Sequence, residues 1–432
     1  MKRLHLIPIL AAAMLSFSTP IHANSDTESL MDVYKHLHAN PELSSMETET
    51  AAYLAKKMKG LGFDVTEEFG GTGVVSVLKN GSGKTIMIRA DMDGLPVKET
   101  TGLSFASEVI KKDRFGDEWP VMHACGHDIH MTSFLGTAQE LVANKDLWSG
   151  TLVMILQPAE EISHGAKDML EAGLFTKFPR PDYNLALHVN SSMPAGSVGV
   201  TSGYALASVD SVDITVRGIG GHGAYPQTTK DPIVLASQIV LALQTIVSRE
   251  VAAQDSAVVT VGSIHGGTKH NIIGEEVKLQ LTVRSYSDET RDGLLNSIKR
   301  ISENMGRVAG LPDDTLPIVE IQDEYTPAAF NNPDLAEKAM TVMQTVIGDE
   351  NVVVTEPVMG GEDFGRYGRV DPKIPGLIYW LGAADPKEVI AAKEEGRSMP
   401  SLHSPFFKPN AVIAIPVGVE TMTATAVSLF NE

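Results

Sequence analysis

A set of short apolar runs constrains the fold of this chain more than any other feature of its sequence. The run at residues 152–156, Leu-Val-Met-Ile-Leu, is continuously hydrophobic, which is typical of a strand buried on both faces. Similar runs occupy residues 74–78, 85–89 and 185–189, and apolar residues at helical spacing predict helices over residues 32–61 and 131–142. Strands that alternate with helices favour an α/β fold, so we predict a mostly parallel sheet flanked by helices.

From about residue 202 the pattern changes to that of a second domain. Strands are predicted at residues 211–217, 257–264, 277–285 and 317–322, with helices at 232–248 and 289–308. This β-α-β-β-α-β order is the split unit of a ferredoxin-like domain. The first pattern resumes near Asn331. We therefore predict a domain of residues 201–325 inserted into a discontinuous catalytic domain of residues 28–200 and 326–432.

The N-terminal residues predict export. Lys2 and Arg3 precede an apolar stretch over about residues 4–17, which is followed by a cleavage region with small residues that ends at Ala23. The stretch is shorter than the roughly 18 residues that a membrane span needs, so we interpret residues 1–23 as a signal peptide rather than an anchor. We expect no other segment to be long and apolar enough to span a membrane, and hence a soluble periplasmic or secreted protein.

The net charge of the chain limits its partners. With 35 basic and 54 acidic residues, the formal charge is −19, which argues against nucleic acid or an anionic membrane surface as a ligand. The composition is otherwise typical of a globular protein, with 43% hydrophobic and 21% charged residues. We therefore expect a small-molecule partner.

Cys125 is the only cysteine in the 432 residues, and it lies in the segment His-Ala-Cys-Gly-His-Asp at residues 123–128. A lone cysteine cannot form an intramolecular disulfide, and a free thiol is a hazard in an oxidising compartment. A thiol two residues from His127 and followed by an acid is typical of a site for a divalent transition metal. The alternatives are that Cys125 is a small buried hydrophobe and Asp128 a first-turn helix acid.

Further polar side chains follow the predicted strands. Asp91 comes after the strand at 85–89, Glu160 and Glu161 follow the strand at 152–156, and His188 lies near the end of its own strand. In open α/β sheets, ligands collect beyond the carboxyl ends of the strands. Adjacent glutamates on a turn point in different directions, so one can bind a metal while the other acts as general base. The alternative for Glu160 and Glu161 is a solvated acidic loop without a function. Whether the site binds one ion or two stays open.

The chain resembles the M20 metallopeptidase/amidohydrolase family, and most closely its branch of aminoacylases, hippurate hydrolases and auxin-conjugate hydrolases. The motifs appear in the family's order and cover nearly all of the mature chain. They are Arg-Ala-Asp-Met-Asp-Gly-Leu-Pro at residues 89–96, residues 123–128, Gln-Pro-Ala-Glu-Glu at 157–161, Gly-Gly-His-Gly-Ala at 220–224, Thr-Val-Arg at 282–284, Gly-Gly-Glu-Asp-Phe at 360–364 and Leu-His-Ser-Pro at 402–405.

The resemblance implies a catalytic domain with a di-metal centre and an inserted lid domain that also mediates dimerisation. The ions would be Zn²⁺ or Mn²⁺, with Co²⁺ or Ni²⁺ also compatible. Glu160 would be the general base, and Asp91 would orient the ligands, with Arg89 standing where other branches have a metal-binding histidine. Carried over by position, the metal ligands would be Cys125, His127, Glu161, His188 and His403.

The resemblance also assigns a substrate side to the site. His222 would stabilise the oxyanion at the scissile carbonyl, from its own or the partner subunit. Asn271 and Arg284 match positions that bind the carboxylate end of the substrate, for which a guanidinium has suitable bidentate geometry, and Gly361 is assigned to the same purpose. Without the resemblance, His222 would be a loop histidine in a glycine-rich turn and Arg284 a strand-end charge.

Two residues depart from the family's pattern. Gly274 stands where proline is common, and Gln227 stands where a second histidine is frequent. Both lie near the expected substrate end and neither belongs to the ligand set. They leave the preferred acyl group and amino acid open.

The sequence therefore predicts an exported, metal-dependent amidohydrolase that cleaves the linear amide of an N-acyl amino acid and forms a homodimer through the inserted domain. A dipeptidase of the same family is the alternative enzyme. A non-catalytic protein that binds small molecules is the alternative outside enzymes. A broken ligand set would favour the binding protein, whereas the set in this chain is complete.

Overall fold

The computed structural model describes residues 29–323 and 325–432, so the signal peptide predicted for residues 1–23 lies outside the described residues. Within these ranges the helices are α1 (Leu30–Ala39), α2 (Thr48–Gly60), α3 (His127–Ala143), α4 (Gly165–Glu171), α5 (Leu174–Lys177), α6 (Pro232–Thr245), α7 (Asp288–Val308), α8 (Pro333–Ile347), α9 (Gly365–Gly368), α10 (Pro386–Glu395) and α11 (Ala411–Phe430). The strands are β1 (Asp64–Thr66), β2 (Val74–Asn80), β3 (Thr85–Asp91), β4 (Ile110–Lys112), β5 (Glu118–Pro120), β6 (Gly150–Gln157), β7 (Tyr183–Pro194), β8 (Val198–Val200), β9 (Gly203–Leu206), β10 (Ser208–Arg217), β11 (Gly221–His222), β12 (Ala257–Gly266), β13 (Ile272–Ile273), β14 (Glu276–Ser285), β15 (Ile318–Ile321), β16 (Ala329–Asn331), β17 (Val352–Val354) and β18 (Gly376–Ala384).

The main sheet has eight strands in the order β1-β2-β6-β3-β7-β18-β8-β17. Its central strands β6, β3, β7 and β18 run parallel, while β1 and β2 add an antiparallel edge. Side chains of β6 alternate between two cores, with Leu152, Met154 and Leu156 in one and Val153 and Ile155 in the other. This two-sided burial explains the unbroken apolar run, and the predicted mostly parallel sheet between helices is confirmed.

The second sheet has four strands in the order β12-β14-β10-β15, and every neighbouring pair is antiparallel. The elements follow the chain order β10-α6-β12-β14-α7-β15, which is β-α-β-β-α-β. A separate core forms between this sheet and its two helices, with Ile214, Ile239 and Leu279 among its members. The sheet thus matches the ferredoxin-like pattern, and its roles as lid and dimer interface stay predictions.

The single helix expected over residues 32–61 is wrong. Helix α1 ends at Ala39, and α2 begins at Thr48. Pro41 lacks a backbone N–H and disfavours helical geometry in Asn40, so the chain leaves the helix there. The intervening segment places Glu42 and Glu47 in buried positions.

The expectation that no further segment reaches the length and hydropathy of a membrane span is also wrong. Among the described residues, Pro232–Glu250 and Ala411–Phe430 pass that test of length and composition. Both helices contribute to cores, α11 through side chains such as Ile415, Met422 and Leu429. A helix that packs one face into a core is apolar there for that reason, so this composition is weak evidence for a span.

Asn331 joins two distant parts of the main domain. Its side-chain amide donates to the carbonyl oxygens of Thr201 (2.8 Å) and Ile378 (2.9 Å), and its side-chain oxygen accepts from the N–H of Ile378 (2.8 Å). The side chain is buried, so water cannot replace these bonds without rearrangement. Asn331 therefore fixes the chain where it returns to the main sheet after the second sheet.

The variant Asn331→Ala should lose about 2–4 kcal/mol of stability, because it leaves three buried backbone groups without partners. Urea denaturation followed by circular dichroism measures the change. The neighbouring Asn332 caps helix α8 by accepting from the N–H of Leu335, so Asn332→Ala serves as control and should cost about 1 kcal/mol. Equal losses in the two variants would contradict the role given to Asn331.

Candidate metal centre

Cys125 and His127 flank the start of helix α3. Gly126 precedes the helix with a φ of +79°, and a Cβ at this position would lie 2.5 Å from Cγ2 of Val189. Only glycine meets both conditions without strain. The turn therefore places the buried thiol and the buried imidazole beside His188 and Val189 of β7.

Glu160 and Glu161 lie on a tight turn after β6. Ala159 has a φ of +52° and Ser163 a φ of +61°, values that are unfavourable for residues other than glycine. The N–H of Ser163 donates to the carbonyl of Glu160 (2.7 Å), and the N–H of Glu161 donates to Oδ2 of Asp93 (3.0 Å). The turn is thus fixed by its own hydrogen bonds and by a neighbouring carboxylate.

The five predicted metal ligands come together from separate parts of the chain. Sγ of Cys125 lies 3.6 Å from Nε2 of His188 and 3.3 Å from Nε2 of His403. Oε1 of Glu161 lies 3.4 Å from Nε2 of His403 and 3.9 Å from Nε2 of His127. Ligand atoms of Cys125, His127 and His188 form one group within 4.8 Å, and those of Cys125, Glu161 and His403 form another. Cys125 belongs to both groups.

His403 reaches this site from an exposed loop. Its backbone has a φ of +65°, and its N–H donates to the carbonyl oxygen of Ala124 (2.9 Å). That hydrogen bond joins the His403 loop to the residue before Cys125. The position of His403 relative to Cys125 is therefore fixed by a backbone hydrogen bond as well as by the contact between the two side chains.

The donor set fits a divalent cation. Nε2 of His127 and Oε1 of Glu161 are buried and have no hydrogen-bond partner among the described residues. Burial opposes a charge on His127, but the carboxylates of Asp91 and Asp93 outweigh it and raise its pKa to about 10. Burial and neighbouring acids raise the pKa of the Cys125 thiol well above its usual value. The site thus favours positive charge, and its sulfur, nitrogen and oxygen donors suit a transition metal.

A second set of side chains orients the ligands. Val189 donates its N–H to Nε2 of His130 (2.9 Å), so Nδ1 of His130 carries the proton that it donates to Oδ1 of Asp91 (2.6 Å). Nδ1 of His188 donates to the carbonyl of Val189 (2.9 Å), which leaves Nε2 free to face Cys125. Oδ2 of Asp91 lies 3.7 Å from Nε2 of His127, and the orienting role of Asp91 stays a prediction. Such partners fix ring orientation and ligand basicity.

Glu160 borders a buried cluster of acids. Its carboxylate forms a group within 4.8 Å with those of Glu362 and Asp363. The fully buried Arg89 donates to Glu362 (2.7 Å) and Asp363 (3.1 Å). Burial, followed by the charges of Glu362 and Glu161, raises the pKa of Glu160 well above its ordinary value. A carboxylate in this environment suits a general base that must hold a proton near neutral pH.

Four of the five candidate ligands, all except His127, line a cleft of about 480 Å³. Arg284 enters it from β14 of the second sheet and donates to the carbonyl of Met359 (2.5 Å). Gly361 also lines the cleft, and its substrate-binding role stays a prediction. The remaining wall is largely apolar and includes Leu206, Val209, Val358, Trp380 and Leu402.

His222 and Asn271 lie apart from this cleft. Both are exposed: His222 lies in β11 and Asn271 directly precedes β13, and the carbonyl of Asn271 accepts from the N–H of Gly223 (2.9 Å). Neither lines the cleft described above. The structure of one chain brings these two residues to each other but not to the metal ligands.

Several buried acids of the site have no assigned role in the sequence analysis. Asp93 accepts from the N–H of Glu161 and from the hydroxyl of Ser44 (2.6 Å), and it lies 3.4 Å from Nδ1 of His127. Glu362 and Asp363 appear in the sequence only as letters of a motif. The sequence signal for a functional role is their charge. Two acidic residues directly follow Gly360-Gly361, whereas a segment buried only for packing would be apolar. Asp128 takes the structural role considered for it, since it accepts from the N–H of Ile129 and contacts His38.

Comparison with known proteins identifies the family of this chain. Residues 87–404 match the Peptidase family M20/M25/M40. Thermostable carboxypeptidase 2 of Saccharolobus solfataricus is 38% identical over 83% of this chain and 87% of its own length. Hippurate hydrolase of Campylobacter jejuni subsp. jejuni is 40% identical over 79% of this chain and 86% of its own.

A solved structure extends the comparison to the whole fold. The YXEP protein of Bacillus subtilis, a dinuclear metal binding peptidase from the M20 family, has a TM-score of 0.74 and 29% identity to this chain. The match covers 93% of this chain and 98% of that chain. The chain therefore belongs to peptidase family M20/M25/M40, a family of metal-dependent hydrolases that cleave amide or peptide bonds.

Proposed function

We propose that this protein hydrolyses N-acyl amino acids, or similar small amides, to a carboxylic acid and an amino acid. The observation that carries the proposal is the meeting of the candidate ligands, Glu160 and Arg284 around one cleft. The hippurate hydrolase relative supports this substrate class, since hippurate is an N-acyl amino acid. A substrate panel of N-acyl amino acids and dipeptides tests it directly.

The side chains that would hold the metal are Cys125, His127, Glu161, His188 and His403. We propose two ion positions, because the two overlapping ligand groups share Cys125. Thiolate and imidazole ligands suit Zn²⁺, while Mn²⁺, Co²⁺ and Ni²⁺ are compatible with the mixed set. When bound, the ions would lower the pKa of a water molecule and polarise the amide oxygen.

Glu160 would move the proton of the reaction. Its carboxylate lines the cleft beside Glu161 and lies within 4.8 Å of ligand atoms of His127 and Glu161, but neither of the two proposed ligand groups includes it. It would accept a proton from the attacking water and deliver it to the leaving amine. The buried acids behind it favour the protonated intermediate form that this shuttle requires.

The variant Glu160→Gln should lower kcat by at least about 10²–10⁴-fold, because the amide cannot accept the proton. Metal content, measured by inductively coupled plasma mass spectrometry, should stay close to that of the wild type. Glu171, which lies on helix α4 away from the cleft, offers the control Glu171→Gln with unchanged turnover. Retained activity in the Glu160 variant would remove Glu160 from the mechanism.

Arg284 would bind the carboxylate of the amino-acid part. Its side chain lines a cleft that also has apolar lining residues, which suit an acyl group. A free carboxylate at this position also occurs at the end of a peptide, and the carboxypeptidase relative keeps peptide hydrolysis as the alternative. Preference for dipeptides over N-acyl amino acids in the substrate panel would establish that alternative.

The variant Arg284→Met should lower kcat/KM for N-acyl amino acids by about 10- to 100-fold, since it removes a charge-assisted hydrogen bond. Substrates whose carboxylate is replaced by a carboxamide should be nearly unaffected. Arg284→Lys is the matched control and should fall between, because lysine keeps the charge but not the bidentate geometry. Equal losses for both substrate classes would show that Arg284 does not read the carboxylate.

The second sheet offers a surface for the proposed homodimer. Strand β12 is an edge of that sheet, and Ile264 on it is 52% exposed. On the adjacent helix α6, Val234 is 53% and Leu241 72% exposed. An apolar edge of this kind favours contact with another chain. A dimer through it would also give His222 a cleft to enter, that of the partner subunit.

The variant Leu241→Glu should therefore shift the protein from dimer to monomer in sedimentation equilibrium, because a charge would be buried in the interface. Turnover should fall in parallel if His222 acts across the interface. Ile390 on helix α10 is similarly exposed (59%) but lies in the main domain, so Ile390→Glu is the control and should leave the dimer intact. A wild-type protein that sediments as a monomer would contradict the proposal.

A further inference from the structure

The turn that carries Glu160 and Glu161 begins with a residue in an unfavourable conformation. Ala159 is buried and has a φ of +52°, a region that residues with a Cβ rarely adopt. Its carbonyl accepts from the N–H groups of His164 (3.1 Å) and Gly165 (3.2 Å), which closes the turn behind the two glutamates. Such a conformation persists only where its surroundings determine it.

Two carboxylates hold this turn from outside. Oε1 of Glu47 accepts from the N–H of Ala159 (2.8 Å), and Oδ2 of Asp93 accepts from the N–H of Glu161 (3.0 Å). The two contacts fall on either side of Glu160. They therefore fix the backbone orientation of the candidate base and of the ligand that follows it.

Glu47 is itself held firmly. It is fully buried, with 0% exposure, and its Oε1 also accepts from the N–H of Ser45 (2.9 Å). Its other oxygen accepts from the hydroxyl of Thr72 (2.6 Å). These contacts leave the carboxylate no freedom to turn away from Ala159.

A helix-capping role does not explain this arrangement. Glu47 directly precedes helix α2, but its side chain makes no hydrogen bond to the first N–H groups of that helix. Glu42 does so instead, by accepting from the N–H of Thr50 (2.8 Å). Two buried glutamates of one short segment thus have different partners, one the helix and the other the turn after β6.

We propose that Glu47 is a positioning residue for the metal centre: it holds Ala159 in the left-handed conformation and so aims Glu160 and Glu161 at the cleft. The inference rests on the proposed function for the roles of those two glutamates. Glu47 touches neither substrate nor ligand atoms. Its effect passes through the backbone, as expected of outer partners of a metal site.

The test compares Glu47→Ala with Glu42→Ala, which removes a buried carboxylate from the same segment without touching the turn. Glu47→Ala should weaken binding of Zn²⁺, measured by competition with a chromophoric chelator, by about 10- to 100-fold. It should lower kcat with little change in KM and speed hydrogen exchange of a peptide spanning residues 157–165. Glu42→Ala should destabilise the protein but leave Zn²⁺ affinity and kcat near the wild-type values.

Rescue separates positioning from general stability. Glu47→Gln keeps an acceptor oxygen for the N–H of Ala159 and should stay within a few-fold of the wild type. Adding Ala159→Gly to Glu47→Ala should restore part of the Zn²⁺ affinity, because glycine adopts the positive φ without a clamp. If Glu47→Ala does not fold, Glu47→Asp replaces it, since the shorter side chain keeps the charge but withdraws the acceptor.

Wild-type Zn²⁺ affinity and kcat in the Glu47 variant, or equal losses in the Glu42 variant, would overturn the inference. So would a double variant no better than Glu47→Ala. If the wild type hydrolyses none of the amides tested, the proposed function fails. The Zn²⁺ affinities and the exchange rates still decide whether Glu47 positions the turn.

Discussion

The buried ion pairs of Arg89 are the interaction on which the rest of the site depends. The guanidinium is fully enclosed and faces Asp91 on its own strand together with Glu362 and Asp363 from a distant part of the chain. A buried charge that loses its partner costs about 3–5 kcal/mol, so these acids can lie behind Glu160 only because a permanent cation accompanies them. Three acids against one base still leave a negative surrounding, which favours cations in the adjoining cleft.

The order of the sheet turns this electrostatic arrangement into a site. Strands β6, β3 and β7 are neighbours and parallel, so Glu160, Asp91 and His188 reach the same edge. Helix α3 begins above that edge and adds Cys125 and His127. Strand β14 of the second sheet contributes Arg284 to the lining of the cleft. A single geometric rule, the common end of parallel strands, therefore gathers most of the chemistry.

That rule also explains how much the sequence could predict. The unbroken apolar run of β6 and the acids directly after it are local signals. They predict the strand, its burial and the position of Glu160 after the strand. The hydrogen bond from Glu161 to Asp93 and the backbone hydrogen bond from His403 to Ala124 join residues that are far apart in the sequence. No local sequence pattern therefore predicts them. His403 was found through the family motif alone. The Asn40-Pro41 pair indicates the end of a helix, but the helical spacing of apolar residues on both sides of it favours one continuous helix.

The distribution of the ligands along the chain has a consequence for maturation. Cys125 and His403 are in contact through 3.3 Å, yet 278 residues separate them, and the second sheet is formed entirely within that interval. A growing polypeptide therefore cannot bring all five candidate ligands together until residue 403 has been synthesised and its loop has docked against Ala124. A chain truncated before residue 403 would therefore lack one of the five candidate ligands even if both of its sheets were intact.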